Sequence, residues 1–176
     1  MFVRINILKI IRDHFKTLSN YNSDSQFPSI GDAFLFLIFP LFISCLLIYK
    51  NYNFEEQLSN LIAGISIFGG FLFNLLAIIY SQIENIERNN QTIEDENLQK
   101  LKNKFVDEIH INISFCIVLS IIVLLSLFLT TIDFPFQILN LIFKKTINGL
   151  TYFLLILFLL SLLMVINRVY ILLKRK

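Results

Sequence analysis

Residues 63–81 read AGISIFGGFLFNLLAIIYS, an almost wholly apolar stretch in which a small or weakly polar residue keeps returning. Ala63, Ser66, Gly70, Asn74, Ala77 and Ser81 follow one another at intervals of three, four, four, three and four. On a helix of about 3.6 residues per turn, that spacing makes one continuous face. No charged residue interrupts 58–81. A helix of about 20 apolar residues crosses about 30 Å of hydrocarbon, so 58–81 reads as a membrane span.

Three further runs of the same kind lie around it, at 33–49, 109–132 and 149–173. The chain of 176 residues is 56% hydrophobic, with 19 phenylalanines, and only 16% charged. Soluble domains carry about 25% charged residues. The reading is an all-α integral membrane protein: a four-transmembrane-helix bundle with a basic amphipathic N-terminal helix and a cytoplasmic helical hairpin extension.

The first 18 residues, MFVRINILKIIRDHFKTL, spread Arg4, Lys9, Arg12 and Lys16 among apolar residues and lack the small-residue cleavage site of a signal peptide. At 100° per residue, Val3, Ile7, Leu8, Ile10, Ile11, Phe15 and Leu18 share one side, facing away from Lys9, Arg12, Asp13 and Lys16, with His14 on the polar border. This is the pattern of a helix lying in the headgroup region, the alternative being a helix packed on the rest of the protein. Segment 1–30 is thus read as an interfacial helix followed by a polar connector, SNYNSDSQFPSI, at 19–30.

Basic residues in short loops orient the chain. One side collects Arg4, Lys9, Arg12, Lys16, the lysines and arginine of 82–108, and Arg168, Lys174, Arg175 and Lys176; the other receives only Lys50, Lys144 and Lys145. Both termini are expected in the cytoplasm. The outer loop 50–57 is short, so the first two spans are read as antiparallel neighbours. The segment 133–148, DFPFQILNLIFKKTIN, is read as a short helix lying in the outer interface. In 82–108 the apolar spacing continues from both flanking spans, and Asn89-Asn90 and Thr92-x-x-Asp95 supply turn and helix-start signals. A helical hairpin reaching into the cytoplasm is expected, offering a surface to a cytosolic protein, the alternative being a flexible acidic loop.

Little chemistry is available. Cys45 and Cys116 fall at different depths of their spans and read as small buried residues rather than a redox pair. Asp107 precedes His110 by three residues, a spacing too common to signal a metal. No phosphate loop, nucleophile elbow or zinc-protease motif occurs. Catalytic, cofactor and metal sites are all expected to be none, the protein is read as not an enzyme, and no direct nucleic-acid binding is expected. The span interiors hold no carboxylate of the kind that coupled carriers place there. A weakly polar path lined by Ser66, Asn74, Asn112, Ser120, Ser126 and Thr130 stays open as a reading.

In lipid, helices associate through small residues and interhelical hydrogen bonds rather than by hiding apolar surface. Ala63, Ser66, Gly70, Asn74, Ala77 and Ser81 supply both, and are read as a helix-packing or oligomer face. Within one chain it would close on Asn112, Cys116 and Ser120; between chains it would make a homo-oligomer. Phe68, Phe71, Leu72 and Phe73 lie off it, toward lipid or aromatic neighbours.

The basic amphipathic start, the spans, the helical connection at 82–108, the basic KRK tail and the local element SIFGGFLFNLL (66–76) together resemble the small four-helix membrane components of bacterial anti-phage defence systems. The Kiwa membrane subunit and retron- or CRISPR-associated transmembrane proteins are of that type. The resemblance implies a membrane-resident sensor or effector, acting as an oligomer, that perturbs the inner membrane or recruits a partner to it. No site residue is carried over from it. A structural anchor subunit of a larger complex and a small holin-like pore are the alternative expectations.

Overall fold

The computed structural model describes residues 6–18, 30–52, 54, 56–89 and 96–174. The connector at 19–29, the turn and capping signals at 90–95 and the last two basic residues lie outside them. Every regular element among the described residues is helical. α1 covers Ile7–Thr17, α2 Ile30–Ala33, α3 Phe39–Tyr49, α4 Leu58–Asn89, α5 Glu96–Leu129 and α6 Gln137–Lys174, with a π-helical turn at Phe34–Ile38 between α2 and α3. α1 starts where Asn6 caps it, its Oδ1 accepting the Lys9 N–H at 3.1 Å. The π turn precedes Pro40, which has no N–H for the carbonyl four residues back. A local shift to i→i+5 pairing accommodates that missing donor.

Three helices are long and apolar enough to cross a membrane, within Leu58–Ser81, Asn103–Leu129 and Gln137–Ile171. The apolar helix Phe34–Tyr49 is shorter. Their outward surfaces carry large apolar side chains such as Phe42, Phe71, Leu125 and Leu163, each more than half exposed. An apolar surface this extensive fits lipid rather than water.

The long helices pack in the order α4, α5, α6, α3, with α1 laid against α5 and the π turn against α6. α5 sits between two neighbours and is the most covered: 56% of its apolar window is buried, against 17% for that of α4. Ile109, Ile113, Cys116, Val123 and Leu127 of α5 are fully enclosed. Phe68 of α4 reaches the edge of Phe158 of α6, ring centroids 6.4 Å apart, across the shoulder of α5.

Two expectations are corrected here. α3 and α4 do not pack on each other among the described residues. The eight residues of 50–57 can span up to about 28 Å when extended, so a short loop does not force its helices together. α3 packs on α6 instead, where Tyr152 donates its hydroxyl to the Tyr52 carbonyl at 2.7 Å and stacks near Phe54, centroids 4.3 Å apart. The segment 133–148 is not a separate interfacial helix: from Gln137 it forms the first turns of α6, which runs unbroken for 38 residues, about 57 Å at 1.5 Å per residue. Asn140 joins this helix start to the preceding loop by accepting the Phe134 N–H at 3.1 Å.

Gly149 is the close point of the α3–α6 crossing. A Cβ there would run into the terminal methyl of Ile48 and stand 3.2 Å from its Cγ1. Gly149→Leu is expected to destabilise the fold by about 1–3 kcal/mol, read by thermal unfolding in detergent. Because the obstacle is the end of one side chain, Ile48→Ala in the same chain should restore most of the loss.

Candidate functional site

The small-residue face of α4 is not where the chain closes on itself. Ala63, Ser66, Gly70, Asn74, Ala77 and Ser81 are all exposed. A Cβ on Gly70 would meet nothing within 4 Å. Ser66 and Ser81 turn their hydroxyls back to the carbonyls of Ile62 and Ile78, at 2.7 and 2.8 Å. The stripe that packs on α5 is rotated by about one residue and is made of Ile65, Gly69, Leu72 and Ile79. Gly69 is the residue whose absent Cβ would face Ser120, 3.5 Å from its Oγ. Leu72, expected off the packing face, is fully buried, while Phe71 and Phe73 are exposed.

Of the weakly polar residues of α5 and the turn after it, Ser120, Ser126 and Thr130 bond to carbonyls of α5, at Ile117, Val123 and Leu127. Asn112 does something else. It is fully buried and pairs with α1, and around it the structure assembles the most polar interior site among the described residues.

His14, expected on a polar border, is fully buried. The reason is the angle at which α1 docks: it turns Ile10, Ile11, His14, Phe15 and Leu18 toward α5 and leaves Leu8 79% exposed beside Lys9 and Arg12. The imidazole lies face to face on Phe115, centroids 3.7 Å apart and planes 6° from parallel. Its Nδ1 is 2.8 Å from Asn112 Oδ1. Since a carbonyl oxygen only accepts, Nδ1 carries the proton and donates it. The Thr17 hydroxyl, 2.8 Å from the His14 carbonyl and 2.9 Å from Asn112 Oδ1, lies between the two acceptors.

Arg168 of α6 completes the site. One guanidinium nitrogen bonds Glu108 Oε2 at 2.7 Å and the other bonds the Thr17 carbonyl at 2.8 Å. The second bond caps an orphan carbonyl at the end of α1 with a cation, the favourable sign at a helix C-terminus. Three helices therefore converge on one polar knot: α1 through His14 and Thr17, α5 through Glu108 and Asn112, α6 through Arg168.

Two atoms of the knot have no hydrogen-bond partner among the described residues, His14 Nε2 and Asn112 Nδ2. For the imidazole this is a strong bias toward neutrality. Protonating Nε2 would place a charged N–H in an apolar enclosure with nothing to accept it. Burial accordingly lowers the His14 pKa from 6.5 to about 4, against the raising effect of the Asn112 bond and with Arg168 adding repulsion. Structurally the site is a clasp that holds α1 against α5 and α6.

Cys45 is exposed, correcting its reading as a buried residue, while Cys116 is buried. Asp107 is exposed and His110 half-buried. At the opposite end of the helices, Lys144 pairs with Asp133 at 2.7 Å and, with Asn140, holds that carboxyl below its usual range. Nothing in the sequence announced the His14–Asn112 contact, whose partners stand 98 positions apart. An amide inside an apolar helix, requiring a partner, was the available signal.

Comparison with known proteins gives no match to a family model, to a curated protein or to a solved structure.

The docked α1 binds a proton on His14 more weakly than the undocked helix does. Its docking is therefore strongest above about pH 6.5 and weakens as pH falls toward about 4, where the loss levels off. A shift of that size corresponds to about 3 kcal/mol. The chain has no tryptophan, so Phe15→Trp gives a single reporter: its emission should move to the red on acidification, and His14→Gln should flatten the change. Separately, Asn112→Leu leaves Nδ1 of His14 without an acceptor and should weaken docking by about 1–3 kcal/mol. Faster hydrogen exchange of the α1 amides at neutral pH is the readout.

Proposed function

We propose that this chain is a non-enzymatic, self-associating membrane subunit that senses or effects a response at the bacterial inner membrane, in anti-phage defence. One observation carries the reading. α4 is an edge helix: among the described residues its backbone packs on α5, with Phe68 reaching Phe158 of α6, and it turns Ala63, Ser66, Gly70, Asn74, Ala77 and Ser81 outward, toward lipid in this reading. In hydrocarbon such a face is the favoured seam for a second helix: the backbone comes close at Gly70, and Asn74 can bond across, a contact averaging about 0.6 kcal/mol.

In this reading four helices cross the membrane. The short apolar segment completes its crossing through the continuous helical stretch that begins at Ile30, about 30 Å over 20 residues. Both termini and the α4–α5 connection face the cytoplasm, following the bias of basic residues. α4 and α5 continue as helices to Asn89 and from Glu96, beyond the apolar windows that end at Ser81 and start at Asn103. Those extensions are where a cytosolic partner would act, and association along α4 is the response it would bias.

The test is cross-linking in native membranes with Cys45 and Cys116 replaced by alanine. Ala77→Cys should form disulfide-linked dimers, and adding Gly70→Leu with Asn74→Leu should cut their yield about tenfold, the effect of about 1.4 kcal/mol. Phe42→Cys on α3 is the control. Dimer yield no greater at Ala77 than at Phe42 refutes association through this face. The same double leucine variant, expressed with its neighbouring genes, should lose protection against phage in plating assays; protection unchanged refutes the role given to the face.

A further inference from the structure

At the end of the molecule opposite the clasp, α6 runs about three turns past its crossing with α3 at Gly149, out to Gln137. In the corner between this projecting stretch and the end of α3 lies a cavity of about 330 Å³. Sites for small molecules typically measure about 300–1,000 Å³. Both walls are fixed. α3 ends at a left-handed residue, Asn51 at φ 50°, whose N–H bonds the Ile48 carbonyl while the Tyr52 N–H bonds that of Leu47. The Tyr152 hydroxyl then holds the Tyr52 carbonyl, and Phe54 packs on the same ring. The other wall is continuous helix.

The side of α6 turned to this corner is polar although its flank is not. Gln137, Asn140, Lys144 and Asn148 recur at helical spacing along the lining, with Leu141 and Lys145 beside them. Ile138, Leu139 and Ile142, on the flank, are between 50% and 77% exposed. Two of the polar residues are already committed: Asn140 bonds the Phe134 N–H and Asp133, and Lys144 pairs with Asp133. The others are not. The ammonium of Lys145 and the side-chain amides of Asn51, Gln137 and Asn148 have no partner among the described residues.

Those four groups define the occupant. Asp133 offsets the charge of Lys144, so Lys145 sets the sign of the lining and calls for one negative charge. Three amides, each both donor and acceptor, call for groups that also donate and accept, which hydroxyls do. An ammonium headgroup would instead bring a cation toward Lys145. Tyr52, 64% exposed on the lining, has the polar-tipped aromatic ring favoured at headgroup level. The chemistry required is a singly charged phosphodiester bearing hydroxyls, beside an apolar edge at Ile48 and Leu141.

We infer that this corner binds the headgroup of phosphatidylglycerol. Its phosphate lies against Lys145, its glycerol hydroxyls bond the amides of Asn51, Gln137 and Asn148, and Ile48 and Leu141 meet the apolar part of the lipid. The inference rests on the chain residing in a membrane and stands apart from self-association and from any role in defence.

The experiment uses the full chain reconstituted in vesicles of phosphatidylethanolamine, phosphatidylglycerol and phosphatidylethanol in equal parts with matched acyl chains. Phosphatidylethanol carries the same single charge as phosphatidylglycerol and no hydroxyl. Flotation with the vesicles reports membrane residence, and lipids retained through detergent extraction are then counted by native mass spectrometry. Phosphatidylglycerol should be retained at about threefold or more its share. Lys145→Gln should lower retention of both anionic lipids. Asn51→Gly with Gln137→Ala should remove the advantage of phosphatidylglycerol over phosphatidylethanol. All three positions are exposed, and glycine accepts the left-handed backbone at 51. A chain that does not float refutes membrane residence and the inference with it. In a chain that floats, retention in proportion to supply overturns the inference alone. So does equal retention of the two anionic lipids, or a phosphatidylglycerol preference that survives Lys145→Gln. Binding of soluble glycerol phosphate without lipid preference likewise overturns the assignment to a lipid.

Discussion

A side-chain amide inside an apolar helix has to find partners, and Asn112 is the residue through which this chain meets that demand. Surrounded by Ile109, Ile113, Phe115 and Cys116, it has no water to turn to. Its oxygen accepts a hydrogen bond from His14 Nδ1–H and lies within reach of the Thr17 hydroxyl, so the amide oxygen is answered by the N-terminal helix. Arg168 then closes the arrangement from α6, binding the α1 carbonyl end and Glu108 together. Hydrocarbon gives little reason for one apolar helix to prefer another, which is why a few polar contacts of this kind decide so much of the arrangement.

The rest of the interior follows the complementary rule of close approach. Gly69 brings α4 to Ser120 of α5, and Gly149 brings α6 to Ile48 of α3. Away from those points the contacts are aliphatic and aromatic, as between Phe68 and Phe158. The packing order leaves α4 at one edge and α3 at the other. An edge helix with most of its surface uncovered is a normal object in a bilayer, where exposure of leucine and phenylalanine carries no penalty. In water the same arrangement would aggregate.

How much of this could be read in the sequence depends on the range of the interaction involved. The apolar runs around 58–81 and 109–132 are properties of consecutive residues, and the structure places long helices over both. The N-terminal amphipathic pattern is likewise local, and α1 occupies it. What failed involved choosing a neighbour. Loop length suggested that α3 meets α4, but side-chain fit at Ile48 and Tyr152 directs α3 to α6. Periodicity identified a face on α4, yet it could not tell the stripe of Ile65, Leu72 and Ile79 from the stripe one residue further on, since both are weakly marked among so many apolar residues. His14 was misplaced for a similar reason. A wheel drawn for α1 alone shows an amphipathic gradient, while burial is set by the position of Asn112 on another helix. The segment at 133–148 looked interfacial because Lys144 and Lys145 interrupt it; with Lys144 paired to Asp133 and Lys145 exposed, the two charges do not stop the helix.

α6 links the two ends of the molecule without a joint. Near its start it is clasped to the α3 end through Tyr152 and Gly149, and near its finish it holds α1 and α5 through Arg168. Helical hydrogen bonding is continuous along its 38 residues, so the contacts made at Gly149 and Tyr152 and those made at Arg168 belong to one rigid element.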